Sequence, residues 1–267
     1  MTTNATAFRH QVFNDSGYIL EYPVLADDIL QGYPPDPFLT GTVQLFPLGT
    51  GLISAERRWR YVYNGAAALV PGYTVQSAAS AGAAHDMDMV TAAAAVGDFE
   101  ITITPTASTS MTKNQYREGY LWTNDLAGEG QCLKIKSHPA ITHSTTGVIT
   151  TYDPVTLALT SSTLTGIRYN LYDNVIVTPH TTLTGIGIGV SDVPVPINYY
   201  GWIQTKGPAA VAGVGTLVIG QGVTDDTTTG SLAGSVGPPS AFTERIVGFV
   251  MNVGVDGDKS LINLCYE

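Results

Sequence analysis

Residues 98 to 105, DFEITITP, alternate apolar and polar side chains with a period of two, and so do residues 131 to 137, QCLKIKS. That period is what a strand with one buried face requires, because successive side chains leave opposite sides of the pleat. In the first run Phe99, Ile101 and Ile103 oppose Glu100, Thr102 and Thr104; in the second Leu133 and Ile135 oppose Lys134 and Lys136. In RRWRYVYN, residues 57 to 64, Trp59, Tyr61 and Tyr63 share one face and Arg58, Arg60 and Val62 the other, so the arginines do not form one patch.

Further runs, YNLYDNVIVTP (169–179), GTLVIG (215–220), RIVGFVMNVG (245–254) and SLINLCY (260–266), are short, rich in β-branched or aromatic residues and bounded by Gly, Asp or Pro. The last two meet through Asp256-Gly257, a strong hairpin signal between apolar strands. Thr205, Lys206, Gly207 and Pro208 predict a turn leading into GTLVIG. The alanine-rich residues 76–97 favour a short helix or a loop, since Gly82 and the lack of an apolar stripe argue against a long helix. The expected fold is therefore all-β, a sandwich or barrel-like arrangement of short antiparallel strands.

Residues 1–43 have no sustained period and contain QGYPPDPFLTG, whose prolines fix φ and remove donors. They read as an extended N-terminal attachment arm ahead of a β-rich body, residues 44–267, with an internal boundary expected near 105–115. Apolar side chains in such an arm, Tyr33 and Phe38 among them, need a surface to lie on.

Only 13% of residues are charged while 44% are hydrophobic, so the surface must be rich in Thr, Ser and Asn or largely covered by partners. A formal net charge of −10 argues against a nucleic-acid binder, which needs a basic stripe. The first residues lack the basic and apolar regions of a secretory signal, and no run reads as a membrane helix. Cys132 and Cys265 are too few for a disulfide framework and have no C-x-x-C spacing, so both are expected as free thiols.

Signatures of chemistry are weak. Gly185, Gly187 and Gly189 in TGIGIGVS resemble part of a dinucleotide loop, but DVPVPINYYGW follows and does not open a helix. The five histidines contain no H-x-x-x-H pair, and each is expected to be satisfied in the core or solvent-facing. No serine lies in G-x-S-x-G, and the pairs Asp86/Asp88, Asp225/Asp226 and Asp256/Asp258 read as turn acids without a full calcium loop. No catalytic residue, cofactor or metal is expected, although paired carboxylates for glycoside hydrolysis depend on the fold and leave a hydrolase reading open. In NYYGW, residues 198–202, Tyr200 and Trp202 share a strand face opposite Tyr199. Tyr199, Tyr200 and Trp202, with Tyr33 and Phe38, are the candidate interface residues.

Four segments carry a resemblance: QLFPLGTGLISAERRWRYVYNGAAALVPG (44–72), YREGYLWTNDLAGEGQCLKIKSHP (116–139), YYGWIQTKGPAAVAGVGTLVIG (199–220) and IVGFVMNVGVDGDKSLINL (246–264). In this order they resemble head structural proteins of tailed bacteriophages that decorate or cement the capsid. The resemblance implies a non-enzymatic virion protein, often a homotrimer, assembled in the host cytoplasm. It would bind the major capsid protein lattice on the outer capsid surface, without nucleic acid or membrane as partners. Acidity suits an outer location, since packaged phosphate repels carboxylates. The rival expectation is a tail or fibre component that binds host glycan through Tyr199, Tyr200 and Trp202.

Overall fold

The structure, a computed structural model, describes residues 10–13, 18–21, 35–65, 67–79, 83–106, 109–227, 231–241 and 244–267. In chain order the strands are β1 (His10–Phe13), β2 (Tyr18–Glu21), β3 (Gly51–Ser54), β4 (Arg57–Tyr63), β5 (Thr74–Gln76), β6 (Met89–Thr91), β7 (Glu100–Thr104), β8 (Tyr120–Asp125) and β9 (Cys132–Ser137). Then come β10 (Gly147–Thr151), β11 (Leu164–Arg168), β12 (Ile176–Val177), β13 (Gly187–Ser191), β14 (Tyr200–Ala212), β15 (Gly222–Asp225), β16 (Val236–Gly237), β17 (Gly248–Asn252) and β18 (Lys259–Cys265). A single helical turn, α1 (Ala83–Asp86), precedes β6. The fold is all-β and divides into two compact units, residues 1–78 with 171–267, and residues 79–170.

The second unit is a closed antiparallel barrel in the order β10-β7-β6-β11-β8-β9. The period-two runs explain it. Ile101, Ile103, Leu121, Leu133, Ile135, Ile149 and Ile167 all point inward and form one buried cluster, while Lys134 and Lys136 point out. Phe99, expected to share the inward face, precedes β7 and is exposed. Closure depends on β11, which pairs with both β6 and β8. For that reason residues 105–115 lie inside this unit, and the divisions fall at 78/79 and 170/171 instead. The alanine-rich residues 76–97, expected as a short helix or loop, hold the end of β5, the turn α1 and the strand β6.

The first unit is a curled antiparallel sheet, β1-β2-β3-β4-β14-β18-β17-β15-β16, with β13, β5 and β12 branching from β14. Within the stretch read as an arm, β1 pairs with β2 and β2 with β3, so these backbones extend the sheet edge. β14 is the spine. Its first half pairs with β4, and its second half pairs with β18 from Lys206↔Cys265 to Ala212↔Lys259. A bulge between Gln204 and Lys206 separates the halves. Before it both faces of β14 are covered; after it Lys206 and Ala210 turn outward, as one-sided burial demands.

The turn expected at Thr205–Pro208 is thus strand, because the bulge and a positive φ at Gly207 bend the chain without breaking the ladder. Conversely GTLVIG forms no strand: Gly215 and Gly220 at its ends both have positive φ, and the segment is a turn. YNLYDNVIVTP keeps only the two residues of β12. The β17–β18 hairpin forms as expected, with Gly257 at φ +86°.

Candidate interaction surface

The aromatic residues singled out in NYYGW lie in and around the core of the first unit. Trp202 is 2% exposed and packs with Phe46, Leu48, Leu52, Trp59 and Tyr61. Ring centroids of Tyr61 and Trp202 are 5.1 Å apart edge to face, and Tyr61 stacks on Tyr200 at 5.8 Å. Burial pushes the Tyr61 hydroxyl far above its ordinary pKa, and its oxygen accepts the Leu45 N–H at 3.2 Å. Tyr199 packs on the opposite side, against the cluster of Val62, Leu69, Val195 and Ile203. The alternation expected from sequence therefore holds, and it leaves Trp202 no ring face to offer a partner. Phe38 is 48% exposed, beside an Asp36 side chain that accepts its N–H at 2.8 Å. Tyr33 lies outside the described residues.

The arginines of β4 are each paired within the unit. Arg57 donates to Asp192 at 2.9 Å, and Arg58 and Arg60 both reach Glu267. Burial pushes the Asp192 carboxyl up; the Trp59 indole N–H at 2.9 Å and the Arg57 guanidinium oppose that. Asp225 is raised by burial as well, against the Tyr266 hydroxyl at 2.8 Å, while Arg245 donates to the carbonyls of Gly187 and Tyr266. These charges tie β4 to Asp192 and Glu267, and Asp225 and Arg245 to Tyr266.

Other candidates resolve into turns and strands. Gly187 and Gly189 belong to β13, and a side chain at Gly189 would meet the Gln204 carbonyl at 2.6 Å, so these glycines serve strand packing. Asp88 accepts from Asn124, Asp226 from Ser231 and Asp256 from the Gly215 N–H. Among the described residues no three His, Cys, Asp or Glu side chains converge as a metal site. Cys132 and Cys265 are free thiols, both pushed up by burial.

What the structure does present is a carboxylate-free sheet face, with Lys206 and Lys259 at its two ends, that was missed from sequence. Across β14, β18 and β17 the outward rows are Pro208–Asn263–Phe249 and Ala210–Leu261, with Met251 beside them at the bulge between Val250 and Asn252. Phe249 is 48%, Met251 45% and Leu261 39% exposed. Val218 and Ile219 extend the face from the turn whose Gly220 N–H donates to Val250. No Asp or Glu occurs in these three strands although the chain carries a net charge of −10. The signal was in the sequence: Phe249, Val250 and Met251 are apolar at both parities, as are Leu261 and Ile262, which a strand with one solvated face does not need.

Comparison of the chain with protein-family models, with curated proteins and with solved structures finds no match.

Proposed function

We propose that this chain is a virion structural protein that decorates and stabilises a bacteriophage capsid, docking on the major capsid protein lattice through the outward face of β14, β18 and β17. The observation that carries this reading is that face: Phe249, Met251, Leu261, Val218 and Ile219 exposed together on a rigid sheet, without a carboxylate in its strands. Contiguous apolar surface of that kind is costly to leave in water and marks an interaction site. The lattice resemblance of the four sequence segments supplies the partner. Many modest contacts repeated over a shell add up to avidity that a single copy lacks. Homotrimers on the outer capsid surface, assembled in the host cytoplasm, complete the reading, with no role for nucleic acid, membrane or catalysis. The tail or fibre alternative keeps only part of its site, since of Tyr199, Tyr200 and Trp202 the last is enclosed while the two tyrosines are half-buried.

The test is to purify particles made from the genome that encodes the chain. Quantitative proteomics should find it in large copy number on heads. Replacing Phe249 and Leu261 with lysine should leave the fold intact, because both side chains point outward, and should abolish head association. Only a few copies per particle, or undiminished association of the double variant, would refute the docking assignment.

A further inference from the structure

The barrel of residues 79–170 has a second unusual surface, and it is chemically unlike the first. Its interior is filled by Leu121, Leu133, Ile135, Ile149 and Ile167, so a ligand has only the outer face to bind. There the register of β9, β8 and β11 fixes two adjacent rows, Lys134–Tyr120–Arg168 and Cys132–Trp122–Gly166. The intervening row, Leu133–Leu121–Ile167, is buried, which confirms that the other two point outward.

Trp122 is the only one of the three tryptophans that is not buried, since Trp59 and Trp202 are enclosed in the other unit. Gly166 makes its pose possible. A Cβ there would sit 2.5 Å from the indole Nε1, so the missing side chain lets the ring lie against the backbone of β11. Neither neighbour in its row is a large apolar residue: the Asp86 carbonyl at the end of α1 lies over Gly166 on one side, and Asp153, which accepts the Lys134 N–H at 2.8 Å, lies near Cys132 on the other. The Lys134 Nζ lies 4.5 Å from the Tyr120 ring centroid and 3.3 Å from its hydroxyl. Arg168 stands on the other side of Tyr120 and has no ion-pair partner among the described residues. An aromatic platform ringed by donors and cations recognises the apolar face of a sugar together with its hydroxyls and a negative substituent.

β9 leads from this platform to an open groove on the barrel, of about 420 Å³, lined by Glu100, Lys113, Asn114, Ser137, His138 and Thr150 among others. From Cys132 to Ser137 the strand runs about 16 Å, the reach of a short oligosaccharide. Lys136 lies between, over the Tyr152 ring. The groove offers an amide, two hydroxyls, an ammonium and the carboxylate of Glu100. Both ring nitrogens of His138 are already engaged, by the Tyr116 N–H and the Pro139 carbonyl, so the groove binds through its other polar groups.

We infer that the outer face of β8, β9 and β11 is a binding site for carboxylate-bearing saccharides, with Trp122 as the stacking platform and Lys134 and Arg168 as the carboxylate contacts. A nucleic acid fits less well. Its repeating phosphates would meet more repulsion than attraction on a chain of net charge −10, whereas two cations beside one aromatic platform match an isolated carboxylate. This inference is independent of the capsid proposal, because it uses a different unit and different residues.

The full-length protein carries its own probe, since Trp122 dominates the solvent-sensitive part of the tryptophan emission. 3′-Sialyllactose and 6′-sialyllactose, each with a single carboxylate, should be titrated separately, with maltotetraose and a short thymidine oligonucleotide as controls, and heats of binding measured in parallel. At least one acidic saccharide should shift the emission and bind at least about tenfold more tightly than maltotetraose. Trp122→Ala should weaken that binding by about tenfold or more, and Lys134→Gln with Arg168→Gln should erase the preference for the acidic sugar while leaving the melting curve in place. Should Trp122→Ala fail to fold, Trp122→Phe and the cation variant keep the test intact. Failure of both acidic saccharides to bind at about 10 mM, equal binding of maltotetraose, tighter binding of the oligonucleotide, or variants that bind like the wild type would each overturn the assignment.

Discussion

Tyr116 is fully buried in the barrel unit and joins two histidines. Its hydroxyl meets Nδ1 of His85 at 2.7 Å, and His85 Nε2 meets the Thr109 carbonyl at 3.0 Å; its backbone N–H donates to Nε2 of His138 at 3.1 Å. Because His138 Nε2 accepts, its proton sits on Nδ1 and is donated to the Pro139 carbonyl at 2.8 Å. The ring is therefore neutral, and burial holds its pKa below the usual 6.5. The sign follows from proton uptake: as pH falls below 6.5 the unfolded chain gains a proton that the folded one refuses, so stability is full above that value and declines below it. The slope reaches at most about 1.4 kcal/mol per pH unit. Thermal melts of the barrel between pH 7.5 and 5 should show this loss, and His138→Asn should flatten the dependence while lowering the plateau. No H-x-x-x-H spacing marks these histidines as a zinc pair, but which atoms they satisfy depended on Tyr116, which the β8–β9 register sets beside His138 and which meets His85 from another part of the chain.

At the scale of the element, β14 shows how one glycine allows a strand to change its surroundings. Gly207 has φ +87°, and a Cβ there would lie 2.6 Å from the Glu56 carbonyl oxygen. Gly257, in the β17–β18 turn, has nearly the same φ of +86° but open space around it. Alanine at either site bears the left-handed backbone cost of about 1–2 kcal/mol. Gly207→Ala must in addition push β14 away from the chain before β4, so its loss of stability should exceed that of Gly257→Ala by about 1 kcal/mol or more. Chemical denaturation of the two variants side by side reads the difference directly; equal losses would mean that the close approach to Glu56 relaxes without cost. In sequence the same glycine beside Pro208 resembles a turn. Only the pairing of residues on both sides of it, with β4 before and β18 after, shows that the ladder continues.

At the scale of the whole molecule, the barrel unit is an insertion: the chain leaves one unit after residue 78 and returns to it at residue 171. The inserted segment has a complete hydrophobic cluster of its own, and its closed order of six strands leaves no unpaired edge. A fragment of residues 79–170 should therefore unfold cooperatively by itself, with a sharp thermal transition and dispersed amide resonances. A fragment that stays unstructured while the full chain folds would show that the barrel borrows stability from the remaining residues.

Local periodicity was enough to specify strands such as β7 and β9, since alternation in runs such as EITIT and CLKIK is set by neighbouring residues and the geometry of the pleat alone. Turn chemistry likewise announced the Asp256-Gly257 hairpin, and low cysteine content the free thiols. The closure of β11 on β6 and β8, the bulge in β14 and the two exposed surfaces came from pairings between residues far apart in the chain. Alternation states which side chains share a face but not what that face meets: the parity that encloses Trp202 in an aromatic core leaves Trp122 half-buried, because strands and loops cover the first face, whereas the Asp86 end of α1 meets the second at Gly166.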